Sequence, residues 1–306
     1  MSDPSTKSGL DLPPRFRERI SSTFGEDGRL WLERLPHQLT TCADRWGLQI
    51  GPAVEDLSYN YVAPAVGASG REIMVKLGVP HPELHREILA LELYDGHGSA
   101  RLIDADAQEG ILLLERLKPG TMLSELSPGR DDEATRIAAR VMRNLWRPVP
   151  DDHPFGTVAH WAKGFGGLRQ RFQGGTGPFS AGLVAEAEAI YEQGLASTAQ
   201  DFLLHGDLHH YNILAAEREP WLAIDPKGIA GDLAYDAGAL LRNPISDLLT
   251  WPDLRRIQSR RLDILAEELE IERRRIQEWA FAQVVLSAWW SFEDEGQAGD
   301  EWIKIA

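Results

Sequence analysis

The first part of the chain carries apolar residues at helical spacing. Trp31, Leu32, Leu35 and Leu39 recur this way, as do Cys42, Ala43 and Trp46, so residues 15–50 are expected to be helical. Pro36 is expected to interrupt this run and start a second helix. The rhythm then shortens. Ala53–Leu57, Tyr61–Gly67 and Glu72–Leu77 read as strands, the last two joined by a turn at Ser69-Gly70. A helix is expected from about Pro82 to Tyr94, then strands at Arg101–Asp104 and Ile111–Leu114, the second ended sharply by Lys118-Pro119-Gly120.

Beyond Gly120 the pattern turns helical: Asp131–Trp146, Val158–Phe172, Ala181–Ala196, Pro252–Leu269 and Glu272–Phe292. A short β-rich stretch, Leu203–Ile224, lies among them, and Gln173–Pro178 reads as a loop. The expected class is α+β, with a β-rich lobe over residues 1–117 and a mainly helical lobe over residues 118–306. The hinge falls near Glu115 to Gly120.

Composition narrows the function classes. The 306 residues are 43% hydrophobic and 26% charged, enough to bury a substantial core. Thirty-two Lys and Arg against 47 Asp and Glu give a net charge of −15. That balance argues against a nucleic-acid partner, which needs cationic surface, and suits a cationic small molecule. The single cysteine, Cys42, excludes an intrachain disulfide and a cysteine-cluster metal site. The polar, proline-bearing start lacks the apolar core of a signal peptide. The longest uncharged apolar stretch, Phe281–Trp290, is far short of the ~20 residues that span a bilayer. A cytoplasmic protein with no membrane partner is expected; nothing in the pattern specifies an oligomeric state.

The chemistry concentrates in Leu204-His205-Gly206-Asp207-Leu208-His209-His210-Tyr211-Asn212-Ile213-Leu214, followed thirteen residues after Asn212 by Asp225 in Ile224-Asp225-Pro226-Lys227-Gly228. A hydroxyl that attacks a phosphoryl group needs a carboxylate to orient it and take its proton, and Asp207 offers one from a loop. The amide oxygen of Asn212 and the carboxylate of Asp225 suit Mg²⁺. Asp and Asn also cap turns, which one such residue alone would more readily mean. The joint spacing favours the chemical reading.

This segment resembles the catalytic loop of the protein kinases and, more closely, that of the aminoglycoside phosphotransferase family, which begins His-Gly-Asp. The stretch Ala216–Gly228 with Gly231-Asp232-Leu233-Ala234-Tyr235-Asp236, together with Gly28–Leu32 and Leu113–Leu117, is similar to the branch of streptomycin 6-kinases and aminoglycoside/hydroxyurea resistance kinases. The resemblance implies a two-lobed protein-kinase-like fold with Mg·ATP between the lobes. It makes Asp207 the catalytic base, His205 its orienting partner, and Asn212 and Asp225 the metal ligands. Lys76, ending a strand, and Glu87, eleven residues later on a helix, fit the pair that contacts ATP phosphates; Glu83 and Glu92 compete for the second role. The usual glycine-rich loop is absent, and Ser58 and Asn60 are open between phosphate contacts and a plain turn. Glu115 and Leu117 fall beside the expected adenine. Glu293 and Asp294 are candidates for a cationic acceptor. The acceptor implied is streptomycin at its 6-hydroxyl, with hydroxyurea or another polyhydroxylated metabolite as the alternative, and an idle nucleotide-binding module as the non-enzymatic one.

Other motifs read as structure. His209 and His210 are expected to serve the loop rather than a metal, and the clusters Arg255-Arg256/Arg260-Arg261 and Arg273–Arg275 to be solvated helix faces. Lys227 is open between balancing phosphate charge and solvent. Asp232 and Asp236 are expected to hold backbone N–H groups.

Overall fold

The computed structural model describes residues 10–295, except for the side chains of residues 245, 246, 294 and 295. The chain divides into two compact units. One runs to Ile88 and resumes over Leu102–Arg116; the other is Leu89–Arg101 with the chain from Leu117 onward.

The first unit begins with α1 (Pro14–Trp46), which breaks at Gly25, where φ is 57°, and not at Pro36. Glycine adopts that backbone readily. Pro36 lies on the exposed side, where water can take the carbonyl its missing N–H leaves unbonded. Gly47, also left-handed, caps the helix, so β1 (Leu48–Ile50) follows where helix was expected. β1 then pairs with β2 (Tyr61–Gly67), Leu48 opposite Gly67. Ala53–Leu57 is therefore no strand; one bond, from Val54 N–H to Val62 O, continues the edge irregularly.

β2 and β3 (Glu72–Leu77) match the expected bounds, as does α2 (Pro82–Tyr94). β4 (Leu102–Asp106) and β5 (Ile111–Glu115) complete an antiparallel sheet of order β1-β2-β3-β5-β4. One face buries Ala63, Val75, Leu77 and Leu113 against Phe16, Ile20, Trp31, Leu35 and Cys42 of α1. The C-terminal half of α2 belongs to the other unit, whose core includes Ala90 and Tyr94.

The second unit starts with β6 (Pro119–Met122), so Lys118-Pro119-Gly120 leads into a strand instead of a plain loop. Next come α3 (Asp131–Leu145), β7 (Arg147–Pro148), β8 (Gly156–Thr157), α4 (Val158–Trp161), α5 (Lys163–Arg171) and α6 (Ala181–Ser197). The single helix expected over Val158–Phe172 is two. Thr157 caps the first by accepting from His160 N–H, and the glycines 164, 166 and 167 weaken continuation.

β9 (Phe202–Leu204), β10 (Ile213–Ala216), β11 (Trp221–Ala223) and β12 (Ile229–Gly231) form two small sheets, β11-β10-β6 and β7-β9-β12-β8. α7 (Leu233–Leu241), α8 (Ile245–Leu248), α9 (Leu254–Leu269) and α10 (Arg273–Glu295) close the unit. α7 has no polar face to give a periodic signal, because every residue from Ala234 to Leu241 is buried. The core of this unit packs Tyr191 and Tyr235 around Trp279, and Phe165 against Tyr191.

Arg261 departs from the solvated face expected of its cluster. It is fully buried on α9 and bidentate to Asp131 at the start of α3, at 2.9 and 2.6 Å, with Asn243 O at 2.8 Å. A buried guanidinium is tolerable only when its donors are met. Removing one side of such a pair costs about 3–5 kcal/mol. Arg261→Ala should lose stability in that range by denaturant titration, while Arg256→Ala, whose exposed partner is Asp253, should change it by less than about 1 kcal/mol.

Candidate functional site

The first unit buries a lysine. Lys76 sits on β3 between Val62 of β2 and Leu112 of β5, with its side chain 3% exposed. Its Nζ lies 2.6 Å from Glu87 Oε1 on α2, and that carboxylate is what makes a buried ammonium tolerable. Of the three α2 candidates, Glu87 contacts Lys76, and Glu92 is exposed. Ser58 lies in the exposed loop before β2, Asn60 packs against Gly78, and Glu115 ends β5 half-buried.

In the second unit, β9 runs out at Leu204 and the chain turns through His205–Asn212 before re-entering β10. Gly206 makes the turn at φ 84°, and a Cβ there would stand 2.9 Å from Ile229 Cγ1. Asp236 on α7 holds the loop: its carboxylate accepts from the N–H groups of His205 and Gly206, at 3.2 and 2.8 Å, and from the Trp146 indole at 3.1 Å. His205 in turn orients Asp207. Its Nδ1 accepts from Asp207 N–H and its Nε2 faces Ile224 O at 2.8 Å, so the ring is the neutral Nε2–H tautomer. Burial pushes its pKa down, against the opposing charge of Asp236; burial pushes the Asp236 carboxyl up.

Asp207 projects from this loop, partly exposed. Arg242, at the end of α7, donates to Oδ1 at 2.8 Å, and His209 Nε2 stands 3.6 Å from Oδ2. Burial alone would raise the carboxyl pKa. His209, then Arg242 and Lys227, outweigh it and hold the group well below the usual carboxylate range. Asn212 Nδ2 donates to Asp207 O at 2.9 Å, which leaves the amide oxygen for another partner. The β10–β11 register sets Ile213 opposite Ala223, and Ile224 N–H bonds to Asn212 O, so Asn212 and Asp225 leave paired strands side by side. Asp225 has φ 59°, a left-handed conformation that Asp tolerates better than most residues. Two hard oxygen donors fit Mg²⁺, which takes few protein ligands when phosphates and water complete its shell. Among the described residues no group of three or more His, Cys, Asp or Glu could hold a metal.

Arg242 and its support escaped the sequence reading. Gln283 Oε1 accepts from the same guanidinium at 2.8 Å, and Gln283 also reaches Tyr235 O. An arginine ending an apolar helix ordinarily answers the helix dipole, so no local signal marks it. His209 is a loop cap, accepting from Tyr211 N–H, yet its other ring nitrogen also stands near the Asp207 carboxylate. Asp232 caps α7 and pairs with Arg275, so that arginine is not simply solvated. Leu117 is buried with Ala100 and Leu222. Glu293 is exposed on α10 and lines a cleft with Gly167 and Phe292; the side chain of Asp294 lies outside the described residues.

Two buried histidines set an acid limit. His210 is buried beside Arg261, and burial, then the arginine, pushes its pKa well down; His205 is lowered as well. Below about pH 6.5 the unfolded chain takes protons that these folded rings refuse. Stability should thus be retained above that pH and fall below it, by up to about 1.4 kcal/mol per pH unit for each ring. Urea titrations from pH 7.5 to 5 measure the slope, and His210→Gln should reduce it.

Comparison with known proteins places these features. The family model for aminoglycoside/hydroxyurea antibiotic resistance kinases matches residues 45–296. A streptomycin 6-kinase from Streptomyces griseus is 31% identical over 309 aligned residues, covering 95% of this chain and 94% of the relative. A hydroxyurea phosphotransferase from Kitasatospora aureofaciens is 34% identical, covering 93% and 81%. Among solved structures, aminoglycoside phosphotransferase APH(3'')-Id from Streptomyces rimosus, in complex with ADP and streptomycin, aligns with a TM-score of 0.56 at 21% identity, over 82% of this chain and 97% of that one. That likeness is one of protein-kinase-like fold, shared with the choline kinase LicA of Streptococcus pneumoniae. The chain belongs to the aminoglycoside/hydroxyurea antibiotic resistance kinase family.

Proposed function

We propose that this protein transfers the γ-phosphoryl group of ATP to the 6-hydroxyl of streptomycin and so inactivates the antibiotic. The observation that carries the reading is Asp207 beside Asn212, in a chain 31% identical to a streptomycin 6-kinase across nearly its whole length. No helix among the described residues is long and apolar enough to cross a membrane, and the reaction belongs in the cytoplasm, where ATP is.

Asp207 stays ionised throughout the working pH range. It accepts a hydrogen bond from the acceptor hydroxyl and points the oxygen at the γ-phosphorus. The O–P bond forms, the bond from the γ-phosphorus to the bridging oxygen breaks, the hydroxyl proton passes to Asp207, and ADP leaves. A carboxylate of lowered pKa is a weak base, which suits a loose transition state in which the proton departs late. Lys76, held by Glu87, supplies fixed positive charge to the nucleotide phosphates. Asn212 and Asp225 would hold Mg²⁺, whose charge would offset that on the phosphate oxygens.

The net charge of −15 draws a cationic acceptor, and Glu293 offers a carboxylate that fits a planar guanidinium fork. Hydroxyurea is the second reading, favoured by 34% identity to a hydroxyurea phosphotransferase over 93% of the chain. ADP release across an acceptor panel, with the product mapped by NMR, separates them. Turnover of hydroxyurea without streptomycin would overturn the first reading.

Asp207→Asn keeps shape and removes the proton acceptor, so turnover should fall at least ~10²–10⁴-fold with ATP binding retained. Near-normal turnover with chemistry rate-limiting would remove Asp207 from its role. Lys76→Ala should raise the KM for ATP and leave the acceptor KM alone; the reverse pattern would move Lys76 to the acceptor side.

A further inference from the structure

On α10 a buried amide interrupts a run of apolar core residues. Ile276, Trp279, Ala282 and Leu286 are buried, and among them Gln283 is 3% exposed. An amide placed there is stripped of water at both ends, so both ends need partners. Its Nε2 donates to the Tyr235 carbonyl oxygen on α7, and its Oε1 accepts from Nη1 of Arg242 at 2.8 Å. Nη2 of the same guanidinium donates to Asp207 Oδ1 at 2.8 Å. An unbroken line of hydrogen bonds thus runs from the α7 backbone to the Asp207 carboxylate.

α7 is shaped to admit that amide. A Cβ on Gly238 would stand 2.5 Å from Gln283 Cδ and 2.6 Å from each of its polar atoms. Glycine is a poor residue inside a helix, because it gives up more backbone freedom than any other on folding. The backbone at Gly238 is not left-handed, so no turn requires glycine there. The room for Gln283 does. Two helices therefore each carry an unfavourable residue, a buried amide on one and an interior glycine on the other, and both serve the contact with Arg242.

The geometry of that contact is unusual for an arginine beside a carboxylate. A guanidinium and a carboxylate ordinarily pair two by two, with parallel N–H···O bonds to both oxygens. Arg242 gives Asp207 one bond, to Oδ1, and its second arm is turned to Gln283. The other carboxylate oxygen, Oδ2, stands 3.6 Å from His209 Nε2. Without Gln283, Nη1 would be free to close the fork on Oδ2.

We infer that Gln283 is a positioning residue for phosphoryl transfer: it draws Nη1 of Arg242 away from Asp207, so that the arginine takes one carboxylate oxygen and leaves Oδ2 to accept the proton of the acceptor hydroxyl. This rests on the reading of Asp207 as the base. Gly238 belongs to the same device, since it provides the space in which the amide reaches Arg242.

The test is steady-state kinetics of the full-length protein, with ATP and whichever of streptomycin and hydroxyurea the wild type turns over. Gln283→Met keeps the length of the side chain and removes both polar ends. Its kcat should fall at least about tenfold, with the KM values for ATP and acceptor changed less than about threefold. Gly238→Ala pushes the amide aside from α7 and should give the same split. Lysine has no fork to close, so in an Arg242→Lys background Gln283→Met should lower kcat by less than about twofold more. An amide that only supports the fold would cost the same factor in both backgrounds. Circular dichroism and melting curves report folding; if Gln283→Met does not fold, Gly238→Ala decides, and if neither folds the pair is structural and the inference falls. Normal kcat in the folded variants, a loss confined to KM, or equal losses in the Arg242 and Lys backgrounds overturns it. An inactive Asp207→Asn with Gln283→Met unaffected overturns the role of Gln283 alone. Near-normal turnover in Asp207→Asn, or a wild type that turns over neither acceptor, overturns the functional reading and this inference with it.

Discussion

A single buried carboxylate, that of Asp236, holds the loop His205–Asn212 in place. The loop between β9 and β10 has no regular ladder of its own, so its backbone N–H groups need partners from elsewhere. Asp236 takes two of them, from His205 and Gly206, and the Trp146 indole as well. With those fixed, His205 can commit one ring nitrogen to Asp207 N–H and the other to Ile224 O. The loop and the strand end that carries Asp225 are thereby tied together. Each group downstream inherits its position from that carboxylate, and the burial that makes it costly also makes it directional.

Charge is handled differently at each buried site. Lys76 and Arg261 are sealed from water and matched by Glu87 and Asp131, so they are fixed parts of their units. Asp207 is left partly open. Arg242 covers one of its oxygens, and His209 stands near the other. A carboxylate held this way is ionised and oriented but not closed off, because each oxygen keeps a lone pair for a further donor. The cost is basicity, which a loose phosphoryl transfer scarcely needs.

At Gly206 the backbone is left-handed and Ile229 crowds the missing side chain, so the residue is forced.

The sequence alone determined much of this protein. The strands Tyr61–Gly67 and Glu72–Leu77 and the helix Pro82–Tyr94 were legible to the residue, because alternation and helical spacing are local properties. So were the spacing of His205, Asp207, Asn212 and Asp225 and the separation of Lys76 from Glu87. Elements set by their surroundings were not legible. β1 was hidden behind a helix that only Gly47 stops, β12 is three residues long, and α7 is buried on every side. The partners of the site were equally hidden. Arg242 meets Asp207 across 35 residues, Arg261 meets Asp131 across 130, and Gly167 faces Glu293 across two helices. Local spacing specifies which chemical groups a loop presents. Which distant group neutralises, orients or leaves room for them depends on how the helices pack, and that was decided only in the folded chain.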